Sequence, residues 1–240
     1  MKTLIVIAGG ECSRMGNFLK DEFKKIPKHL LPLPILKMTL VESVVYNGLL
    51  HFDQVIIEAN YQNGIYFESI FDGNKKVVVE IDDVHSGPLG PVARRIITQE
   101  TVYACAGDMY CEFSWDEFEK FHNKHDRPVS ILVAKSIAVP KGARFIIGNE
   151  RELSWERVAY TNIHDLINIG AYIIDRNQGV LDIFDSLNKL NKIIKHKEDE
   201  FFDLVIKKKL AYAYDPKIIG FNINVPLSYI GLFNYIKNKK

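Results

Sequence analysis

No stretch of this chain approaches the roughly 20 apolar residues that a bilayer-spanning helix needs. The apolar opening, Leu4–Ala8, is too short for the core of a signal peptide and runs straight into glycines. An excess of either charge is missing too. The 31 basic and 30 acidic side chains nearly cancel, so bulk charge gives no argument for nucleic acid or for an anionic membrane. Cysteine is scarce. Cys12, Cys105 and Cys111 are odd in number and lack metal-ligand spacing, so they read as free thiols of a reducing compartment, with a cytoplasmic location expected. Low-complexity tracts, internal repeats and Pro/Gly linkers are also lacking. The 240 residues therefore read as one domain, 1–240, with enough chain for a well-buried core.

What is present is alternation. Short β-rich runs occur at Thr3–Ala8, Gln54–Ala59, Val77–Ile81, Thr101–Ala106 and Val129–Ala134. Helical spacing lies between them, at Thr39–Leu50, Ile65–Phe71, Pro88–Gln99 and Asp116–Lys124. Fully apolar strands alternating with helices predict an α/β fold with a mostly parallel sheet covered on both faces. Residues 135–165 break the rhythm and read as a polar, irregular excursion. "INIGAYIID" (Ile167–Asp175) restores a strand, helical spacing returns at Val180–Leu190 and Phe201–Lys208, and "LAYAY" and "GFNINV" close as strands.

Ligands of such sheets bind beyond the carboxyl ends of the strands, so the residues that follow each strand carry the chemistry. After the first strand come Gly9, Gly10, Arg14 and Gly16. Glycines let backbone N–H groups approach an anion closely, and an arginine adds a forked, charge-assisted contact. The loop has neither the Gly-Lys-Ser/Thr of a P-loop nor the spacing of a dinucleotide fingerprint. Pro27 stiffens the chain before Lys28, and Leu30, Leu31 and Leu33 anchor that lysine, which can deliver a point charge to phosphate. Asp108 follows a small-residue strand end, where a carboxylate can hold Mg²⁺ or cap a helix. Asn222 and Asn224 lie two apart on one strand face, and either can offer a second oxygen ligand.

Taken together and in order, "IAGGECSRMG", "PKHLLPL", "AGDM", "INIGAY" and "FNINVP" resemble the nucleotidyltransferases of the nucleotide-diphospho-sugar transferase fold. The resemblance is to sugar-1-phosphate nucleotidyltransferases and, more distantly, to molybdenum cofactor guanylyltransferases, whose "GPL" turn is echoed by Gly87-Pro88-Leu89. It implies a single Rossmann-like three-layer α/β/α domain with residues 135–165 as an insertion at the acceptor side. It implies catalytic roles for Arg14 and Lys28, and nucleotide binding by Ala8, Gly9, Gly10, Arg14, Gly87 and Asp108. A Mg²⁺ ion would be held by Asp108 and Asn222, and the acceptor by Glu152, Arg157, Asn168 and Gly170. The chain departs from the family pattern at Glu11-Cys12-Ser13 in the loop, at Val225 in place of threonine, and at Asn222 where aspartate is commoner. The Glu-Lys-Pro segment of sugar-specific members is missing.

The reaction so implied is Mg²⁺-dependent transfer of a nucleotidyl group from an NTP to a sugar phosphate, with pyrophosphate leaving in line. Such a reaction is governed by positioning and charge neutralisation, and a phosphate nucleophile needs no general base. The partners are an NTP and a phosphorylated sugar or alcohol, with no nucleic acid and no membrane; self-association is left open. Two other readings stand beside it: a guanylyl- or cytidylyltransferase acting on a non-sugar phosphate, and a non-catalytic nucleotide-binding or regulatory protein of the same fold. A metal-dependent glycosyltransferase would carry Asp-x-Asp where this chain has Gly107-Asp108-Met109. His122 and His125 read as a solvated helix face rather than a metal site.

Overall fold

A computed structural model describes residues 1–10, 27–33, 35–82, 87–136, 143–148, 153–158, 161–162, 164–190, 198–223 and 226–239. In chain order the elements are β1 (Thr3–Ile7), a 3-10 turn (Lys28–Leu30), β2 (Pro32–Leu33), β3 (Met38–Thr39), α1 (Leu40–Leu49), β4 (Gln54–Ala59), α2 (Tyr61–Ile70), β5 (Val77–Ile81), α3 (Gly90–Ile96), β6 (Thr101–Ala106) and β7 (Met109–Cys111). There follow α4 (Trp115–His122), β8 (Val129–Lys135), β9 (Ala143–Ile147), β10 (Leu153–Arg157), β11 (Leu166–Asp175), α5 (Gln178–Leu190), α6 (Glu198–Lys207), β12 (Ala211–Tyr214), β13 (Gly220–Asn222) and α7 (Pro226–Asn238). Among the described residues no helix is long and apolar enough to cross a membrane.

Among the described residues the main sheet has nine strands. β5, β4, β1 and β6 run parallel side by side; β11 runs against β6, and β8 pairs with its other edge, with β12 parallel outside β8. Alternate side chains of β1 divide the core, as a pleated strand requires. Leu4, Val6 and Ala8 face α1, α2 and α4, with Val41, Val45, Phe67, Trp115 and Phe118. Ile5 faces α3, α5 and α6, with Val92, Ile96, Ile183, Phe201 and Val205. Two buried faces make a three-layer α/β/α arrangement around a mostly parallel sheet. A third cluster, Leu31, Leu33, Leu40, Tyr110, Phe221, Ile223, Leu232 and Ile236, packs α7 against β2, β7 and β13.

Local chemistry starts the helices. Thr39 and Glu42 form a capping box on α1, and the side chains of Asn60 and Ser114 cap α2 and α4.

Three features differ from the sequence reading. The stretch 135–165 is not irregular throughout: β9 and β10 form a hairpin, held by Arg144 on Glu156 and by Phe145 stacked on Trp155 at 6.3 Å. Helix α2 begins at Tyr61 rather than Ile65, because Asn60 supplies the cap. The last helix, α7, was not anticipated. Its apolar face is covered by partners from distant parts of the chain, so local pattern understates it.

Candidate functional site

Register brings the strand ends together. Ile7 lies opposite both Glu58 and Ala106, so Ala8–Gly10, Asn60 and Gly107–Asp108 emerge at one end of the sheet. There the Gly107 N–H donates to the Ile7 carbonyl at 2.9 Å. A Cβ on Gly107 would sit 3.1 Å from the Ala8 Cβ and 3.3 Å from the His29 ring, which explains the glycine before the aspartate. Asp108 is only 6% exposed, and Lys28 Nζ forms an ion pair with its Oδ2. Burial by itself would raise the Asp108 carboxyl, but the neighbouring positive charge outweighs it and holds the group below the usual carboxylate range.

The lysine reaches this position from a 3-10 turn behind Pro27, closed by the Leu30 N–H donating to the Pro27 carbonyl at 2.8 Å. His29, the next residue, is buried edge-on to Phe67. Burial lowers its pKa to about 4, against the opposing pull of Asp108. The imidazole is therefore neutral near pH 7, and Lys28 is the cation that keeps Asp108 ionised. No partner meets His29 Nδ1 among the described residues.

Asn222 arrives from the far end of the chain. β13 pairs with β7 so that Asn222 lies opposite Met109, and the Ile223 N–H donates to the Asp108 carbonyl at 2.9 Å. On the other flank, β11 carries a register shift between Asn168 and Tyr172. Gly170, at φ 92°, sits inside that bulge, where a Cβ would meet the Ala106 Cβ at 2.8 Å and the Asn222 Nδ2 at 3.8 Å. Asn168 Oδ1 accepts from the Gly170 N–H at 2.8 Å, and its Nδ2 donates to the Tyr172 hydroxyl at 2.6 Å and to Glu198 Oε1 at 2.9 Å. Tyr172 also donates to Glu198. Burial raises the Glu198 carboxyl against the hydrogen bonds from Tyr172 and Asn168, and the charges of Asp199 and, less, Asp108 add to the rise.

Thus Ala8, Gly9, Gly10, Lys28, Asp108, Asn168, Gly170 and Asn222 share one end of the sheet. Arg157 lies aside on β10, where it pairs with Asp199 of α6 and approaches the Trp155 ring. Gly87, at φ 78°, makes the turn into α3. Arg14, Glu152, Cys12 and Asn224 lie outside the described residues. His122 is not on a solvated face: it is buried, bonded to Ser130 and Asp175.

Sequence reasoning missed His29, Tyr172, Glu198 and two asparagines at the start of α2. Asn60 Nδ2 donates to the Gly9 carbonyl at 2.8 Å, and Asn63 Nδ2 donates to the carbonyls of Ala8 at 3.0 Å and Gly10 at 3.4 Å. The signal was available, because "NYQN" directly follows the strand Gln54–Ala59, at a carboxyl end where ligand chemistry gathers.

No family model matches the chain. It is 30% identical over 146 residues to the mannose-1-phosphate guanylyltransferase catalytic subunit beta of Danio rerio, a match covering 56% of this chain and 38% of that protein. It is 23% identical over 253 residues to the mannose-1-phosphate guanyltransferase beta-A of Xenopus laevis, covering 99% of this chain and 65% of the relative. The chain thus spans between about two fifths and two thirds of the length of these relatives. Among solved structures, the inositol-1-phosphate CTP transferase of T. maritima superposes with a TM-score of 0.71 at 14% identity, over 99% of this chain and 96% of the other. The chain has the nucleotide-diphospho-sugar transferase fold, the architecture of the sugar-1-phosphate nucleotidyltransferases.

Proposed function

We propose that this chain transfers a nucleotidyl group from an NTP to a sugar phosphate, releasing pyrophosphate and leaving an NDP-sugar. The observation that carries the reading is the buried, ionised Asp108 paired with Lys28 where β1 and β6 end. Keeping two charges at so buried a position costs stability, and a polyanion bound with a cation gives both a use.

The donors fit Mg²⁺. A carboxylate kept ionised and an amide oxygen on Asn222 are hard oxygen ligands, and Mg²⁺ takes one or two from protein while phosphate and water supply the rest. When bound, the ion would draw charge from the phosphates that meet there. The chain's own residues do the remaining work. Lys28, which pairs with Asp108 here, would offer its charge to the phosphates as well, and Arg14 would add a second. The N–H groups of Gly9 and Gly10 line the same anion. Asn168, Gly170 and the Tyr172–Glu198 pair bound the acceptor side, where hydroxyls of a sugar match an amide and a carboxylate. Glu152 would reach the acceptor from residues 135–165, which we read as an acceptor-side excursion of one domain rather than a second domain, whereas Arg157 would have to leave its pair with Asp199 to do so. No side chain need remove a proton, since the attacking phosphate oxygen is already ionised.

The test is pyrophosphate release from a panel of NTPs offered with hexose 1-phosphates and non-sugar phosphates. Release that requires one NTP, one phosphorylated acceptor and Mg²⁺ supports the reading. Nucleotide binding without release for any pair would replace it with a regulatory role.

A further inference from the structure

We infer that Asn60 and Asn63 are positioning residues that aim the N–H groups of Gly9 and Gly10 at the phosphates of the nucleotide. The inference rests on the reading of that loop as the phosphate site. Three consecutive carbonyls, those of Ala8, Gly9 and Gly10, accept from these two side-chain amides. Across a trans peptide each C=O points opposite to the N–H of the next residue, and the described chain has no cis bond. Drawing the Ala8 and Gly9 carbonyls toward α2 therefore turns the N–H groups of Gly9 and Gly10 away from it. No described residue accepts from either. Gly10 is exposed, with nothing within 4 Å of where a Cβ would stand, whereas a Cβ on Gly9 would press on the Asn60 backbone nitrogen at 3.3 Å. Gly9 is thus a glycine because of α2, and Gly10 faces open space.

The side-chain amides leave no ambiguity about which way they point. Asn60 Oδ1 accepts the Asn63 N–H at 2.8 Å, so its Nδ2 must be the group on Gly9; Asn63 Nδ2 faces two carbonyls, which only a donor can satisfy. Both residues are buried and neither reaches into the open side of the loop. Asn60 does two separable jobs, capping α2 with its oxygen and holding the loop with its nitrogen. Asn63 does the second alone through its side chain.

Separability makes the test. Asn60→Ser keeps an oxygen that can cap α2 but is too short to hold Gly9, and Asn63→Ala removes only the loop contacts. Calorimetric titration of the full chain with inorganic tripolyphosphate and Mg²⁺ should show affinity lower by about tenfold in each folded variant, the scale of one charge-assisted hydrogen bond misdirected. In the unmodified protein, the backbone amide resonances of Gly9 and Gly10 should shift on saturation with tripolyphosphate, a measurement independent of whether the variants fold. Variants that lose thermal stability yet bind tripolyphosphate as tightly as the parent would reduce both asparagines to structural roles and overturn the inference. Unshifted Gly9 and Gly10 amides in a protein that does bind would overturn it as well. If the parent does not bind tripolyphosphate at all, the phosphate reading of the loop falls, and the inference with it.

Discussion

Lys28 and Asp108 meet with side chains only 12% and 8% exposed, so each is costly to leave alone. Replacing Lys28 with Ala removes the charge that holds the Asp108 carboxyl down and a contact to the phosphates. Turnover should fall by about 10²-fold, the scale of one preorganised charge contact. Mg²⁺ should raise the variant's thermal midpoint more than the parent's, since the ion then neutralises an otherwise uncompensated carboxylate. Near-normal turnover would remove Lys28 from the site. The sign of the pH dependence follows from Asp108. Its pKa is lowered in the folded chain, so its contribution is present above the unfolded value of about 4 and drains away as pH falls through the folded value. The stability gap between the parent and Asp108→Asn, read from denaturant midpoints, should therefore narrow between pH 7 and pH 3. Lys28 and Asp108 were legible because each follows a rigid local signal. His29 was not, because nothing in "PKHLLPL" says that its ring will be sealed between Phe67 and Gly107.

At the scale of elements, one hydrogen-bond chain ties α4 and the loop after it to β8 and β11. Asp175 can only accept, so His122 Nε2–H donates to it at 3.0 Å. His122 Nδ1 is then an acceptor for the Ser130 hydroxyl at 2.8 Å. Ser130 Oγ in turn accepts from His125 Nε2–H at 2.9 Å, and His125 Nδ1 accepts the Arg127 N–H at 3.2 Å. With a single proton on each ring, these partners select the Nε2–H tautomer for both. Ser130 is fully buried, so Ser130→Ala should leave ring nitrogens unsatisfied and cost about 1–3 kcal/mol, measured by urea unfolding. Histidine ¹⁵N spectra at pH 8 showing the Nδ1–H form for either ring would refute the wiring. The spacing of His122 and His125 was visible in the sequence, but their partners were not, since Asp175 stands 53 residues from His122.

At the scale of the molecule, the third hydrophobic cluster joins the beginning of the chain to its end. Leu232 and Ile236 of α7 cover Leu31 and Leu33, which flank the Lys28 turn, as well as Phe221 and Ile223, which flank Asn222. The Tyr229 hydroxyl donates to the Pro32 carbonyl at 2.7 Å. Leu232 is fully buried, so Leu232→Ala should cost about 2–5 kcal/mol, as core truncations do. Because the same helix backs both Lys28 and Asn222, Mg²⁺-dependent nucleotide affinity should weaken in that variant at temperatures where it remains folded. Unchanged affinity would mean that α7 supports stability alone.

The sequence by itself determined most strands of the main sheet, most of the helices and the α/β class, because apolar runs, their period and their glycine punctuation act locally. It also ordered the motifs along the chain, including the glycine loop, Lys28, Asp108, "NIG" and Asn222. Only the tertiary structure decided that Asn222 stands beside Met109, that Gly170 closes on Ala106, that the loop carbonyls are held by α2, and that Arg157 turns to Asp199. These are contacts between segments tens to more than a hundred residues apart. Side-chain chemistry permits each of them, but strand order and register alone select which ones form.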